Sequence, residues 1–482
     1  MAGKSPWRYQ QVAQALLDAA QRGLYRPGDR LPSVRRLCEQ HGVSLATAVQ
    51  AYDWLQRQGR VEARPKRGHF LCAGAAVPRE PATSRPPASP VPVNVAQMAM
   101  ALVDEARRPG LVKLGAAVPG ADMQPLGPLS RALAGVAGRH YRAPAAYEEA
   151  GGNPRLRHEI ARHMGELGWR GGPDEVLITN GCLEALGLAL AVVTQPGDTV
   201  AIESPTYFGI LQSIEARGLR AVEVPTHPRD GIDPDALAEC LARHRPAACI
   251  LQPSFHNPLG ATLPEAGRRQ VSALLAEAGV PLIEDDVYGP LSFSRHRPRP
   301  LAASDETGNV IYCSSFSKSV APGLRLGWML PGRWREAVRY RKFLANISTA
   351  VHPQLALAEL MARGSLARNH RRVTPVYQQR MAQLRDWVGR YFPAGTRATN
   401  PEGGFLLWLE LPRGIDSLEL YRRAMQAGIA ITPGVLFSAR GQYDHHVRLS
   451  CGVVEGEPAR QAIQRLGALA EELGAKKNRH PG

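Results

Sequence analysis

The sequence predicts an α/β protein in two unequal parts: a small basic head of three helices and a two-stranded wing, then a mostly parallel sheet with helices on both faces. Three observations predict it. The front carries short amphipathic runs separated by Pro-Gly and Gly turns, residues 73–93 are Pro-rich and aperiodic, and beyond them seven apolar runs alternate with amphipathic segments.

At 482 residues and 44% hydrophobic composition the chain exceeds one compact core, so two or three domains are expected. Low aromatic content beside 47 Gly and 40 Pro suits an α/β protein with many short connections. No apolar run reaches the roughly 18 residues of a membrane span. The start, MAGKSPWRYQQ, lacks the apolar core of a signal peptide, and the protein is expected to be cytoplasmic. Seven cysteines without a CxxC pair or a His/Cys cluster suggest neither a disulfide framework nor a zinc site, and no metal is expected.

The net charge of +16 is concentrated at the front. Residues 1–72 hold twelve Lys/Arg against five Asp/Glu, a net of +7. That density fits either a polyanion partner or a solvated basic face.

The head elements follow in order. Val12, Leu16 and Leu17 stand at helical spacing within 6–22, and Pro27-Gly28 then breaks the chain. Ser33 is placed to cap a helix through Val34, Leu37 and Cys38. Gly42 permits a tight turn, and Ser44 caps "LATAVQAYDWLQRQG", with Val49, Tyr52 and Leu55 as the expected inner stripe. Leu45, Thr47, Ala48 and Gln50 are expected to face outward, with Trp54 in the core. Two helices joined by such a turn present the second to a DNA major groove. "GRVEARPKRGHFL" then predicts two short strands around a basic tip, a wing that would lie along phosphates.

The stretch "RPGDRLPSVRRLCEQHGVSLATAVQAYDWLQRQGRVEARPKRGHF" resembles the winged helix-turn-helix of GntR-type regulators over nearly its whole length. The resemblance implies double-stranded operator DNA as partner. Arg35 would stand at the start of its helix on a phosphate or base, Ser44 and Thr47 at the groove end of the recognition helix, and Lys66, Arg67 and Gly68 in the wing. Leu45 departs from the Arg common in the family at that place, which shifts weight to phosphate contacts.

Residues 73–93 are expected to form an extended, semi-rigid linker. The body follows as "EVLITN", "TVAIES", "RAVEVP", "AACILQPS", "PLIEDDVY", "NVIYCSS" and "RLGWML", most of them separated by amphipathic stretches at 182–194, 207–217, 234–244 and 264–279. The last two lack an intervening helix, so the final strand is expected to be antiparallel.

Ligands of such sheets bind beyond the carboxyl ends of the strands. There the chain places Gly181, Cys182 and Leu183, whose amides would face an anion. It also places Tyr207, Asn257 before Pro258, Asp285 with Tyr288, and Ser315, Lys318 and Arg325 in "SSFSKSVAPGLRLGW". An acidic triplet at 284–286 would suit Mg²⁺, but no second carboxylate cluster supports it. Together these residues describe a planar ligand, anionic at one end, that needs a carboxylate at the other end and a lysine nearby. Pyridoxal phosphate fits: its aldehyde would form an imine with Lys318, and Asp285 would keep the pyridine nitrogen protonated.

The same residues, in the same order, resemble the fold-type I aminotransferases of the aspartate aminotransferase class over roughly residues 110–470. That resemblance implies Lys318 as the Schiff-base lysine, Ser315 and Arg325 on the phosphate, Asn257, Asp285 and Tyr288 on the ring, and Tyr207 stacked over it. Tyr147 in "AYEEAGGNPRLR" would reach the phosphate of a neighbouring subunit, implying a homodimer, and Arg448 in "HHVRLSCG" would grip a substrate α-carboxylate. The phosphate loop departs in having Cys182-Leu183 where hydroxyl residues or Gln are common.

The whole chain resembles the MocR class of bacterial regulators. The expected domains are a head at 1–72, a linker at 73–93, a large cofactor domain at 94–350 and a small α+β domain at 351–476. The resemblance implies a regulator, nucleoid-associated when on DNA, that senses a small amine or amino acid, or the cofactor itself, by Schiff-base exchange at Lys318. A working aminotransferase with an appended DNA-binding head is the alternative.

Overall fold

The computed structural model describes residues 8–22, 24–26, 28–57, 60–64, 67–71, 78–294, 296–453 and 456–478. Two compact units divide at Val77/Pro78.

The first unit contains helices α1 (Arg8–Gln21), α2 (Val34–His41) and α3 (Leu45–Arg57) and the antiparallel pair β1 (Val61–Arg64) and β2 (Gly68–Leu71). Ser33 caps α2 by accepting the Arg36 N–H, and Gly42 ends it at φ 59°, a left-handed turn that glycine adopts at little cost. The core of this unit gathers Val12, Leu16, Leu31, Leu37, Ala48, Ala51, Tyr52, Leu55 and Val61, with Trp54 packed against it. One expectation for α3 is corrected here: Ala48 is buried and Val49 is 41% exposed. The stripe runs 48, 51/52, 55, because a helix has 3.6 residues per turn and Ala48 sits one turn before Tyr52.

The second unit is built on a nine-stranded sheet. Seven strands carry it: β3 (Leu177–Thr179), β4 (Thr199–Ser204), β5 (Arg220–His227), β6 (Ala248–Leu251), β7 (Leu282–Asp285), β8 (Val310–Ser315) and β9 (Gly327–Leu330). Their order is β5-β4-β6-β7-β8-β9-β3, with two-residue strands at Val91–Pro92 and Gly231–Ile232 both pairing β5. Strands β5 to β8 pair in parallel and β9 is antiparallel to both neighbours. The antiparallel strand expected after "NVIYCSS" is therefore present, since only a short 3-10 turn at Pro322–Leu324, and no α-helix, separates β8 from β9.

Alternation divides the strand side chains between two cores. Val200, Ile202, Ile250, Ile283, Ile311 and Met329 face one core, which also takes helices Cys182–Val193 and Phe208–Glu215. Ala201, Cys249, Leu251, Leu282, Tyr312 and Trp328 face the other, covered by helices Leu126–Arg139, Pro154–Glu166, Pro234–His244 and Glu265–Glu277. Helix Val351–Ala362 packs on 126–139 and 154–166, so it lies with the large part and not, as expected, with the C-terminal one. Its apolar residues Leu355, Leu357 and Leu360 fill that second core. The small part has its own antiparallel sheet, in which β10 (Leu406–Glu410) pairs β11 (His446–Ser450), with helices Ser365–Tyr391, Ser417–Gln426 and Gly456–Asn478.

The expected linker is also corrected. From Pro78 onward it is an extended strap hydrogen-bonded to the body. Ser84 exchanges two bonds with Thr226 on β5, and Val91–Pro92 adds a strand beyond it. On the small part, Arg79 accepts from the Ala398 N–H at 2.9 Å and Ser89 accepts from Arg440 at 2.9 Å. Proline-rich sequence cannot continue a sheet interior, but it can line an edge whose carbonyls still accept.

Candidate cofactor site and nucleic-acid interface

Five strand ends converge on one cavity of about 370 Å³, a size suited to a small ligand. Its lining includes Cys182, Leu183, Tyr207, Asn257, Asp285, Tyr288, Ser315, Lys318 and Arg325. Residues chosen from separate stretches of sequence thus share one enclosure.

Each is aimed by its local backbone. Gly181, at φ 84°, turns β3 into helix 182–193, and a Cβ there would stand 2.6 Å from Arg325 Nη2. Arg325 itself holds a left-handed φ of 52° and donates to the Asn180 carbonyl at 3.3 Å. Ser315 Oγ donates to Leu326 O at 3.1 Å and accepts the Ser317 N–H at 3.0 Å, which curls the chain between β8 and Lys318. Helix N-terminus, guanidinium and two hydroxyls therefore meet at one end of the cavity, an anion site by construction.

Asp285, 3% exposed, lines the same cavity. Its two oxygens accept from Gln252 Nε2 at 2.8 Å and from Cys182 Sγ at 3.4 Å. Burial pushes this carboxyl up to about 6. Burial also pushes the Cys182 thiol well up, so Cys182 is a neutral donor and not a reactive thiolate. Among the described residues, the buried Tyr288 hydroxyl has no hydrogen-bond partner.

Lys318 Nζ donates to the Ala117 carbonyl at 2.7 Å and stands 5.9 Å from the Tyr288 ring centre. Burial, aided by the positive charge of Arg448, lowers its ammonium to about 8. Arg448 is 3% exposed on β11. It donates to Asn257 Oδ1 at 3.0 Å, Gly115 O at 2.7 Å and Thr432 Oγ1 at 3.2 Å, while its buried Nε has no partner among the described residues.

Several contributors escaped the sequence reading. Gln252 holds Asp285 and also accepts the Asn257 N–H at 3.2 Å; its position just past β6 is the signal that would have found it. Ser317 and Arg107 also line the cavity. Buried Lys342 donates to Glu184 Oε2 at 3.3 Å, and Glu184 accepts the Asn180 N–H, so a side chain far along the sequence from Glu184 steadies the turn at Asn180–Gly181. Tyr147 does not line the cavity: it is 81% exposed, in the loop before helix 154–166, and Gly181 forms the turn beside the lining residues Cys182 and Arg325 without lining it itself.

In the head, Ser44 Oγ caps α3 by accepting the Thr47 N–H at 3.2 Å and bonds Thr47 Oγ1 at 2.9 Å, while Leu45 stands 60% exposed beside them. Arg35 and Arg67 are exposed. Gly68 turns the wing at φ 98°, and Lys66 lies outside the described residues. The Tyr52 ring on α3 stacks on His69 of β2 at 3.9 Å, fixing wing to recognition helix.

Fold and site define a pyridoxal-phosphate-binding body of the aminotransferase type that carries a winged helix-turn-helix. Two family models match: aminotransferase class I and II over residues 141–466, and the gntR family of bacterial regulatory proteins over residues 8–71. The uncharacterized HTH-type transcriptional regulator YjiR of Escherichia coli (strain K12) is 36% identical over 95% of this chain and 98% of its own length. YdcR of the same strain, also an uncharacterized HTH-type transcriptional regulator, is 35% identical over 96% and 99%. Among solved structures, the α-aminoadipate aminotransferase LysN of Thermus thermophilus, complexed with N-(5'-phosphopyridoxyl)-L-leucine, superposes with a TM-score of 0.73 at 31% identity. That match covers 78% of this chain and 95% of LysN. The chain belongs to the family of HTH-type regulators in which a GntR-type head is fused to a class I/II aminotransferase domain, the MocR class. Its cofactor is pyridoxal phosphate.

Proposed function

We propose that this protein is a pyridoxal-phosphate-dependent transcriptional regulator that binds operator DNA as a homodimer and senses a small amine or amino acid, or the cofactor itself. It acts in the cytoplasm, at the nucleoid. One observation carries the effector class: the buried Arg448, adjoining the lysine cavity through Asn257, keeps an unpartnered Nε. A buried guanidinium with spare donor capacity suits a carboxylate.

The residues fit the cofactor. The orphaned Tyr288 hydroxyl and the Gly181 turn, whose missing Cβ leaves room for Arg325, are the features that a phosphorylated pyridine would use. Pyridoxal phosphate supplies an aldehyde that condenses with primary amines and a ring that withdraws electrons. Ser315, Arg325 and the amides of Cys182 and Leu183 would hold its phosphate, Asp285 would hold a proton on the ring nitrogen, and Tyr207 would cover the ring. Lys318 offers the amine that an effector displaces.

The strap gives the event a route outward. It is bonded to β5 through Ser84 and to the small part through Arg79 and Ser89, and the chain continues from it into residues 1–77. Closure of the small part on an effector held by Arg448 would shift the strap. An effector acts only through its differential affinity for two such arrangements, and about 1–3 kcal/mol suffices. Exposed Tyr147 and the apolar row Tyr340, Phe343 and Leu344 support the homodimer.

The test is a Lys318→Ala variant, assayed by fluorescence anisotropy on a selected operator with a panel of amines and amino acids. It should bind DNA and lose the response. Loss of DNA binding irrespective of effector would sink the sensing model. The alternative reading, an active aminotransferase, is favoured by the lowered ammonium of Lys318, which suits a general base. Steady accumulation of pyridoxamine phosphate in single-turnover assays would select it.

A further inference from the structure

We infer that Glu410, His445 and His446 form a binding site for a divalent transition-metal ion of the zinc, cobalt or nickel type, on the small part. One ligand atom from each lies within 4.8 Å of the others. The site arises from strand pairing: Glu410, last residue of β10, stands directly opposite His446, first residue of β11, and His445 precedes it.

Three details point to a ligand. His446 is 8% exposed, and its buried Nδ1 has no partner among the described residues. Its ring is fixed by stacking on Trp408 at 5.2 Å and by the edge of Tyr443 at 5.2 Å, so the orphan nitrogen cannot turn to water. His445 Nδ1 bonds Asp444 Oδ1 at 2.7 Å. A carboxylate on one imidazole nitrogen leaves the lone pair of the other for a metal, the usual outer-shell arrangement of metal-binding histidines.

The geometry needs only small adjustments. Ligand atoms around a tetrahedral zinc stand roughly 3.4 Å apart, given bonds of about 2.0–2.2 Å. Closing from 4.8 Å falls to His445 and Glu410, which are 24% and 23% exposed and free to change rotamer. The one cation nearby, among the described residues, is Arg397, 3.4 Å from Glu410 and 45% exposed; it would give way to the ion. Two imidazoles and one carboxylate select zinc, cobalt, nickel or copper over magnesium and calcium.

The location gives the site a structural consequence. Residues 438–446 form the loop whose Ala439 N–H donates to Glu223 on β5, whose Arg440 donates to Ser89 of the strap, and whose Tyr443 hydroxyl bonds Ser204 at the end of β4. An ion bridging Glu410 to His445 and His446 would fasten the root of that loop.

The experiment uses full-length, tag-free protein loaded with its cofactor. Calorimetric titration with zinc chloride should show one saturable site per chain, and cobalt should develop visible d–d absorption of a low-symmetry complex. His445→Ala and Glu410→Gln should each abolish both signals. Asp444→Asn should weaken binding about 10-fold or more, as loss of an outer-shell partner does. His158→Ala, an exposed histidine elsewhere, should change nothing. Zinc should raise the Tm of wild type but not of the two ligand variants. If His445→Ala fails to fold, Glu410→Gln decides alone. Absence of a saturable zinc site, or binding that survives Glu410→Gln unchanged, overturns the inference.

Discussion

Arg448 donates to the side-chain oxygen of Asn257 at 3.0 Å, so a strand of the small part and the turn beyond β6 meet at one guanidinium. An effector carboxylate that engages Arg448 engages both parts of the body at once.

Arg448→Gln should therefore separate carboxylate recognition from the rest of the site. Removing one partner of a buried, charge-assisted contact costs on the order of 2 kcal/mol or more, about thirtyfold in affinity. Amino-acid effectors should lose that much in a titration of the DNA-binding response, while simple amines keep theirs. Cofactor binding should persist, because the phosphate and ring contacts lie on other residues. Equal loss for amines and amino acids would contradict this role.

Asp285 gives a pH dependence whose sign follows from its environment. Its carboxyl is raised from 3.8 to about 6 by burial. Its contribution to apo-protein stability is thus fully present below 3.8 and lost as pH rises through 6. In the proposed role the opposite state is needed, since an ionised Asp285 carboxylate would face a protonated ring nitrogen. Affinity for pyridoxal phosphate, measured by fluorescence quenching, should rise between about pH 5 and 7. Asp285→Asn should bind more weakly and with a flatter profile over the same window.

Much of this site was legible because its residues sit at strand ends in a fixed order. Apolar runs located all seven strands, and residues at or shortly beyond the ends of most of them named the candidate ligand contacts. Contacts set by tertiary packing were not legible. Nothing local marks Lys342 as the support of Glu184, and the His445-His446 pair acquires a third donor only when β10 pairs with β11. On α3 a wrong choice of helical phase exchanged Ala48 and Val49, since both are small or apolar and the stripe is short. The strap was misread because proline suppresses every periodic signal, including that of an edge strand.

Gly181 tests the phosphate end alone. Its φ of 84° with ψ of 173° belongs to a region that essentially only glycine occupies, at about 1–3 kcal/mol for other residues. A Cβ would also push Arg325 Nη2 from 2.6 Å. Gly181→Ala should weaken pyridoxal phosphate about 10-fold or more by this strain. Unphosphorylated pyridoxal should bind nearly as it does to wild type. An equal loss for both would place the defect in the fold of the turn rather than in phosphate recognition.

Arg67 tests the head. It is exposed beside the Gly68 turn of the wing, its guanidinium 6.0 Å from the Phe70 ring, while the Ser44 hydroxyl caps α3 and bonds the Thr47 hydroxyl. We propose that a wing arginine so placed contacts a phosphate rather than a base edge. Each phosphate contact contributes about −0.9 to the slope of log K against log salt on duplex DNA. Arg67→Ala should therefore make that slope shallower by about 0.9 and weaken operator and random DNA by similar factors. Thr47→Ala should act differently: it removes a partner of the Ser44 cap and a polar atom beside exposed Leu45, and should lower the operator-to-random ratio with the salt slope unchanged. If Arg67→Ala alters sequence preference at constant slope, the wing reads bases, and the phosphate role assigned to its basic tip is wrong.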